Sequence, residues 1–437
     1  MWALVSHLKD EKTKDYTANV LKHCLVAIRE WWEAIHYNSP YIHDDQKVSF
    51  HYPLHRHFSV FLRQAVEYQG FALAELLPDQ QTLALLMQHP LSCQTAFYEI
   101  MCSIWVRNGV QIKGQAMTYI QCHFCKSMVD ADIFLLQMCA THLHPDFFLE
   151  IVLDRFKIKD WLSLSNDTSH LPSRIYRDQE QRIQLIESAL FFIVSVLSNR
   201  INLGLSEEEL ARLEMVSLLC MSDKTHSMLH DNMPEKSGTP VQVDLFDRIL
   251  SETATYSEPR FDPASGNMLQ GLYLPKPHIW EDHYDPIHVL LRGVHHRREF
   301  QTSIERFNNF AKSKYDKDPE RNKTVTSPWP PWRIPKETAP LYRDPRRILH
   351  SSFCHGLIFN LLYKSLHGPL TNDLITSLAV HLLELAVTYP QKDFSGKEVA
   401  VPTPWLMENE PVDLMFDSWY PTGKFRPLWT LWTTLSL

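Results

Sequence analysis

From Ser49 to Phe156 the chain is apolar at helical spacing, broken only by short turn signals, and this pattern limits what it can fold into. Hydrophobic residues recur three and four positions apart through SFHYPLHRHFSVFLRQAV, and again through QHPLSCQTAFYEIMCSIW and DIFLLQMCATHLHPDFFLEIVLDRF. Only 12 glycines occur in 437 residues, where average composition would give about 7%. Dinucleotide-binding sheets, barrels and sandwiches need turn glycines repeatedly. The expected fold class is mainly α: a helical scaffold of stacked α-hairpins, an embedded winged-helix-like α+β unit and a C-terminal helical unit.

The periodicity predicts a first helix over Thr17–Tyr37, with Leu21, Leu25, Ile28, Trp32 and Ile35 on one face, ended by the polar turn NSPYIHDDQK. Further helices are expected over Leu54–Tyr68, Asp79–Gln88, Ser92–Arg107 (stopped at Asn108-Gly109), Gln115–Ser127, Ala131–His142 and Pro145–Phe156. Connections this short make antiparallel neighbours. No fixed-period self-similarity shows, so a regular solenoid is not expected. Trp161–Arg182 reads as a surface loop, and Gln184–Leu203 as a central helix, apolar nearly all round.

The scaffold is assigned to residues 1–204 and a winged-helix-like domain to 205–280. Ser206 with Glu209 is a capping box opening a helix to Cys220; helices over Thr225–Asn232 and Val241–Ala254 follow, then a hairpin turning at Ala264-Ser265-Gly266-Asn267. A long helix, Asp285–Ser313, occupies residues 281–324, and a connector with six prolines follows over 325–345. Residues 346–390 hold a helical pair, Ile348–Leu366 and Leu374–Tyr389, and 391–437 an irregular tail. The tail ends in LWTLWTTLSL, a stub that suggests a truncated or alternatively ended chain.

Net charge is −8 with a pI near 6.3, which asks for neither nucleic acid nor an anionic membrane. Eight cysteines scatter through apolar helical sequence, as reduced buried thiols do. No signal peptide opens the chain and no run of about 18 apolar residues occurs. A cytoplasmic or nuclear protein is expected.

Cys122, Cys125, Cys139 and His142 have the spacing C-x2-C-x13-C-x2-H of a small zinc site. Zinc knuckles wrap the metal in glycine-rich loops, whereas these four fall in apolar helical sequence, so core packing is the favoured reading. No metal, catalytic or cofactor residue is assigned. His51, His55 and His57 with Arg56, and His295-His296 beside Arg297-Arg298, lack ligand partners and read as solvated or capping groups. Gly109 and Gly114 have P-loop spacing, but Gln115-Ala116 stand where Lys-Ser/Thr is required. The third helix of the winged unit carries Asp244, Asp247 and Glu252 against Arg248 alone, which argues against DNA. The long helix's Arg292, Arg297, Arg298, Arg306, Lys312 and Lys314 read as a solvated face paired with Glu299 and Glu305.

Several short words in this order resemble the central region of the UBR-box N-recognin family of E3 ubiquitin ligases. They are Ser49-Phe50-His51, Pro53-Leu54, His89-Pro90-Leu91, Trp105-Val106-Arg107-Asn108-Gly109, Asp132-Ile133-Phe134-Leu135-Leu136-Gln137, Pro145-Asp146-Phe147-Phe148-Leu149 and Leu153-Asp154-Arg155-Phe156. Gly109–Tyr119, His226-Ser227 and Asp417-Ser418-Trp419-Tyr420-Pro421 look similar to the family's divergent third type. The resemblance implies a scaffold that helps a RING-type ligase pass ubiquitin from an E2 to substrate lysines for proteasomal degradation. It implies E2 and protein substrates as partners of a full-length ligase, and zinc in that ligase's UBR box and RING. Neither cysteine array is present in these 437 residues, so the chain alone is expected to be inactive. The alternatives are a non-catalytic interaction module or decoy isoform and, less favoured, a winged-helix DNA-binding protein.

Overall fold

The computed structural model describes residues 10–34, 50, 53–105, 109–159, 161, 179–234, 240–261, 268–293, 297–315, 329–367 and 372–390. Two units share the chain: residues 1–139 with 191–344, and residues 140–190 with 345–437.

In the first unit α1 (Lys14–Ala34) buries Thr17, Leu21, Cys24, Ile28 and Trp32, steps of three and four that make one stripe against α2 (Pro53–Tyr68). Cys24 takes the core place that the sequence assigned to Leu25, which is half-buried. Each large side chain so buried contributes about 1.5–3 kcal/mol. A one-turn α3 (Leu73–Leu76) leads to α4 (Gln80–Met101), capped by Asp79, whose carboxylate accepts from Thr82 N at 2.9 Å.

The two helices expected over 79–107 are this single one, with Pro90 inside it. A proline there removes a helix hydrogen bond and costs about 3 kcal/mol. Burial of His89, Pro90, Leu91, Cys93 and most of α4 outweighs that cost. The helix also stops earlier than the Asn108-Gly109 signal suggested. Ser103 adopts φ 60°, Ile104 N returns to Glu99 O at 2.9 Å and Ser103 N to Ile100 O at 3.1 Å. This is a Schellman ending with serine in the place that usually holds glycine.

Next come α5 (Gly109–Ile120), a 3-10 turn at Cys125–Ser127, α6 (Val129–His142) and α7 (Pro145–Arg155). The Gly109/Gly114 pair therefore lies in a helix, where no phosphate-cradling loop exists. α8 (Gln179–Ser198) is long and apolar enough to cross a membrane by length and composition, but 72% of that stretch is buried inside the protein, as a core helix is. Its last turn is closed by Gln137, whose amide donates to Val196 O at 3.0 Å and Asn199 O at 2.8 Å.

α9 (Glu207–Met221) opens with the expected capping box: Glu209 N donates to Ser206 Oγ at 3.2 Å, and Ser206 N to Glu209 Oε2 at 2.9 Å. α10 (His226–Asn232) and α11 (Pro240–Thr253) complete a three-helix set. β1 (Ala254–Ser257) pairs antiparallel with β4 (Leu272–Pro275), and β2 (Arg260–Phe261) with β3 (Met268–Leu269). A bridge from Lys224 to Tyr273 adds a one-residue third strand. Three helices, a short strand and a hairpin are the winged-helix order. α9 is buried on two adjacent faces. Met215 and Leu219 join Leu229, Phe246 and Ile249, while Val216 and Cys220 meet Ile279, Trp280 and Tyr284.

The long helix expected over Asp285–Ser313 is broken. α12 (Pro277–Asp282) precedes α13 (Pro286–Arg292), Gly293 is the C-cap, and α14 (Arg297–Tyr315) starts afresh. A Cβ at Gly293 would meet Glu299 Oε2 at 2.9 Å and Val289 O at 3.1 Å, a tight fit that glycine avoids. The described part of the connector, residues 329–344, is non-helical apart from a turn and runs along the first unit. Ala339 N donates to Leu203 O at 2.9 Å beside Gly204, whose φ of 110° and lack of Cβ permit the contact.

The second unit gathers α7, a 3-10 stretch at Pro345–His350, α15 (Ser352–His367) and α16 (Asp373–Thr388). Asp146 accepts from Phe353 N at 2.9 Å, and Asn372 caps α16 while donating to Glu187 at 2.6 Å. Lys364 lies 4.5 Å from the Trp161 ring centre. The ends of the expected first helix (35–37), the NSPYIHDDQK turn, the hairpin turn at 264–267, most of the 161–182 loop and the 391–437 tail lie outside the described residues.

Candidate functional site

Two guanidinium clamps grip the acidic first turn of α6, where a helix N-terminus already favours negative charge. In the first, Arg56 of α2 donates to Asp132 through Nε at 3.0 Å and Nη2 at 2.8 Å, and through Nη1 to Phe50 O. Tyr119 donates to the same carboxylate at 2.7 Å and accepts from Gln94 at 2.8 Å. Beside them the His55 and His89 rings lie 4.8 Å apart, tilted by 38° and both buried. Burial, and for His55 the neighbouring His89, pushes each imidazole down to about 3. The sequence assigned His55 and Arg56 to a solvated or capping role; the structure buries both. His51 and His295-His296 lie outside the described residues.

In the second clamp, Arg292 at the end of α13 reaches Asp130 of α6 through Nη1 at 2.9 Å and Nη2 at 3.0 Å. The same guanidinium reaches Glu214 of α9 through Nε at 2.9 Å and Nη2 at 2.8 Å, and His288 Nε2 stands 3.2 Å from Glu214. All four side chains are at most 5% exposed. Burial opposes ionisation of Glu214, yet Arg292 and His288 hold its carboxyl well below the usual range. This junction ties the winged-helix domain and α13 to the scaffold helix.

Arg292 is therefore not on a solvated helix face, and Arg306 and Lys314 pair with Asp223 and Glu281 instead of Glu299 and Glu305. Sequence reading missed the junction, but a signal was there. Asp130, Asp132, Glu214 and Arg292 each interrupt an apolar helical run, and a charge in such a run must be paired once buried.

The zinc-spaced residues do not converge. Cys122 stands in the turn after α5 with Sγ 3.8 Å from Asp231 O, and Cys125 begins the 3-10 turn, bonding Cys122 O at 3.5 Å. They are not in a regular α-helix, as the sequence implied. Cys139 is buried in α6 against Leu83 O at 3.8 Å, and His142, in the last turn of α6, meets Thr141 Oγ1 at 2.9 Å. Burial pushes the Cys125 and Cys139 thiols up, away from the thiolate a metal needs. Among the described residues no three His, Cys, Asp or Glu are placed to hold a metal ion. No disulfide joins any of the eight cysteines.

On the winged-helix domain, Arg248 is held by Glu208 at 2.8 Å, leaving Asp244 and Asp247 exposed on α11. An aromatic row runs alongside: His230 to Phe246 (5.6 Å), Phe246 to His226 (5.3 Å), His226 to Tyr273 (6.3 Å) and Tyr273 to Tyr256 (5.1 Å). His226 Nε2 meets Asp247 at 3.1 Å. A phosphate backbone would be repelled here, whereas a protein surface of opposite charge would not.

The fold and site define a helical body carrying a winged-helix domain, joined through buried charges. Known proteins give it a place. A family described as the UBR1/2/3-like ARM repeat domain matches residues 14–192, and one described as the E3 ubiquitin-protein ligase UBR1-like winged-helix domain matches 210–320. E3 ubiquitin-protein ligase UBR3 of Mus musculus is 40% identical over 428 residues, covering 96% of this chain and 21% of the mouse protein. Ubr3 of Drosophila melanogaster is 40% identical over 432 residues, 98% of this chain and 19% of its own length. E3 ubiquitin-protein ligase PRT6 of Arabidopsis thaliana is 23% identical over 395 residues, 84% of this chain and 18% of its own length.

The chain is a UBR3-like region of the UBR E3 ubiquitin ligase family, spanning about a fifth of the length of these curated relatives. The ARM match shows repeats over residues 14–192 where the sequence shows no fixed period. The helices in that stretch have 21, 16, 22, 12, 14 and 11 residues, so no fixed period reaches the sequence.

Proposed function

We infer that this chain is the rigid scaffold region of a RING-type E3 ubiquitin ligase of the UBR class. It holds a substrate lysine within reach of the E2–ubiquitin thioester, which is catalysis by proximity. The observation that supports this most is the match to UBR3-type ligases over 96% of the chain, with ARM and winged-helix domains in order. E2 and protein substrates are its partners within the full-length ligase, in the cytoplasm or nucleus. Zinc belongs on this reading to that ligase's UBR box and RING; Cys122, Cys125, Cys139 and His142 do not fit it, because the fold sets them apart.

The test has two arms. Purified chain with E1, ubiquitin and a panel of E2s gives no transfer above background. In the full-length ligase that contains this region, Arg292→Met loosens the winged-helix junction. Substrate ubiquitination then drops at least five-fold, while E2–ubiquitin discharge to free lysine, a RING readout, is unchanged. Robust chain formation by the isolated region, or an unchanged substrate rate in the variant, would overturn the scaffold reading.

A further inference from the structure

Cys122 and Cys125 share one turn. Phe124 N and Cys125 N both donate to Gln121 O at 2.8 Å, so the chain after α5 closes an α-turn as the 3-10 segment begins. Such a turn places Cα atoms three apart at about 5 Å, inside the roughly 4.4–6.8 Å that a disulfide spans. Cys125 Sγ lies back toward Cys122 and donates to its carbonyl oxygen at 3.5 Å. No other two cysteines stand so close along the chain.

The two thiols face different surroundings. Cys125 is fully buried, and burial pushes its thiol up, whereas Cys122 is half-buried. Cys122 lines a cavity of about 60 Å³, together with Leu218, Lys224, Asn232, Arg292 and Glu299. A peroxide molecule, little larger than water, has room there. Cys122 Sγ also meets Asp231 O, in the last turn of α10, at 3.8 Å. The reactive end of the pair therefore sits where the scaffold touches the winged-helix domain.

We propose that Cys122 and Cys125 are a peroxide-sensitive dithiol pair that closes to a disulfide and loosens the scaffold's hold on α10. The Cys122 sulfur attacks one peroxide oxygen. An S–O bond forms, the O–O bond breaks, and hydroxide leaves as water with the thiol's proton, giving a sulfenic acid. The Cys125 sulfur then attacks the Cys122 sulfur. The S–S bond forms, the S–OH bond breaks, and the hydroxyl leaves as water with the Cys125 proton. Two thiols are oxidised and one peroxide is reduced to two waters. Attack begins at Cys122 because Cys125 is shielded. Closing the bridge turns Cys122 Sγ toward Cys125 and off the Asp231 carbonyl. The proposal rests on this turn and does not depend on the ligase reading.

To test it, the purified 437-residue chain is treated with hydrogen peroxide, quenched with catalase, unfolded in excess N-ethylmaleimide and mapped by peptide mass. The peptide holding both cysteines emerges two hydrogens lighter and unlabelled, and takes two labels when dithiothreitol precedes the maleimide. Cys125→Ser halts Cys122 at the sulfenic acid, which dimedone traps, and Cys122→Ser leaves Cys125 fully labelled. In the folded chain, oxidation speeds amide exchange in α10 about threefold, the worth of one weak S–H···O contact, and dithiothreitol restores it. Exposed Met268 serves as the dose marker, through its conversion to the sulfoxide. A pair that stays fully labelled at doses that oxidise Met268, a Cys125 oxidised in the Cys122→Ser variant, or a bridge that leaves α10 exchange unchanged would each overturn the proposal.

Discussion

Replacing Arg292 with methionine removes the one guanidinium that Asp130 and Glu214 share. Two carboxylates at most 4% exposed then lose the guanidinium they share. Breaking a buried ion pair from one side costs about 3–5 kcal/mol, because the remaining charge cannot regain its hydration. Taking about 4 kcal/mol, and 1.36 kcal/mol per tenfold, amide exchange limited by opening of α9 and α13 speeds up roughly a thousandfold. Hydrogen exchange suits a two-unit chain for which one unfolding midpoint is undefined. The triple variant Arg292→Met, Asp130→Asn, Glu214→Gln leaves no buried charge orphaned and recovers most of the protection, to within about 1–2 kcal/mol of the parent. Acid shrinks the single variant's deficit: without Arg292 the burial of Glu214 opposes its ionisation, so falling pH neutralises it, while the parent loses what depressed Glu214 contributed. Equal losses in the single and triple variants, or a single-variant loss below about 1 kcal/mol, would show that the junction is not held by paired charge.

Four further outcomes are expected. His55 and His89 stay neutral in the fold down to about 3, whereas unfolded histidine protonates near 6.5, so stability is full above that value and falls as pH drops. The slope is up to about 1.4 kcal/mol per pH unit for each ring, with Asp132 partly relieving and Arg56 reinforcing it for His55. Exchange in α2 and α4 at pH 7.5 and 5 measures it, and His55→Leu removes about half. Ser103→Gly and Lys157→Gly, both at positive φ, raise the exchange protection of α4 and α7 respectively by about 0.5–1 kcal/mol. Ser206→Ala lowers the protection of α9 by about 1 kcal/mol through loss of the capping box. Gly204→Ala puts a Cβ 2.5 Å from that of Ala339 and frees the connector, which limited proteolysis between residues 329 and 344 reports as new cleavage.

Periodicity made most of the helices legible. Leu21, Ile28 and Trp32 fall on the face their spacing assigned, and the Ser206–Glu209 box opens the helix it signalled. What stayed hidden depends on partners distant in sequence. Pro90 acts on a local rule that tertiary burial overrides. The charge clamps join residues 76 and 162 positions apart, and no local window holds both partners. The wing's acidity was readable from Asp244 and Asp247; its aromatic row was not, since it draws one ring or two from each of α10, α11, β1 and β4.

The order in which the chain visits its two units sets a schedule for its birth. The first unit is built from residues 1–139 and 191–344, so the second is begun before the first is finished. Asp130 leaves the ribosome 162 residues ahead of Arg292, and Glu67 leads its hydrogen-bond partner Tyr342 by 275. At about 5–20 residues per second, Asp130 waits roughly 10–30 s for its counter-charge. During that interval the first turn of α6 cannot be buried without an orphaned carboxylate. Closure of the scaffold at that point therefore waits on the far end of α13.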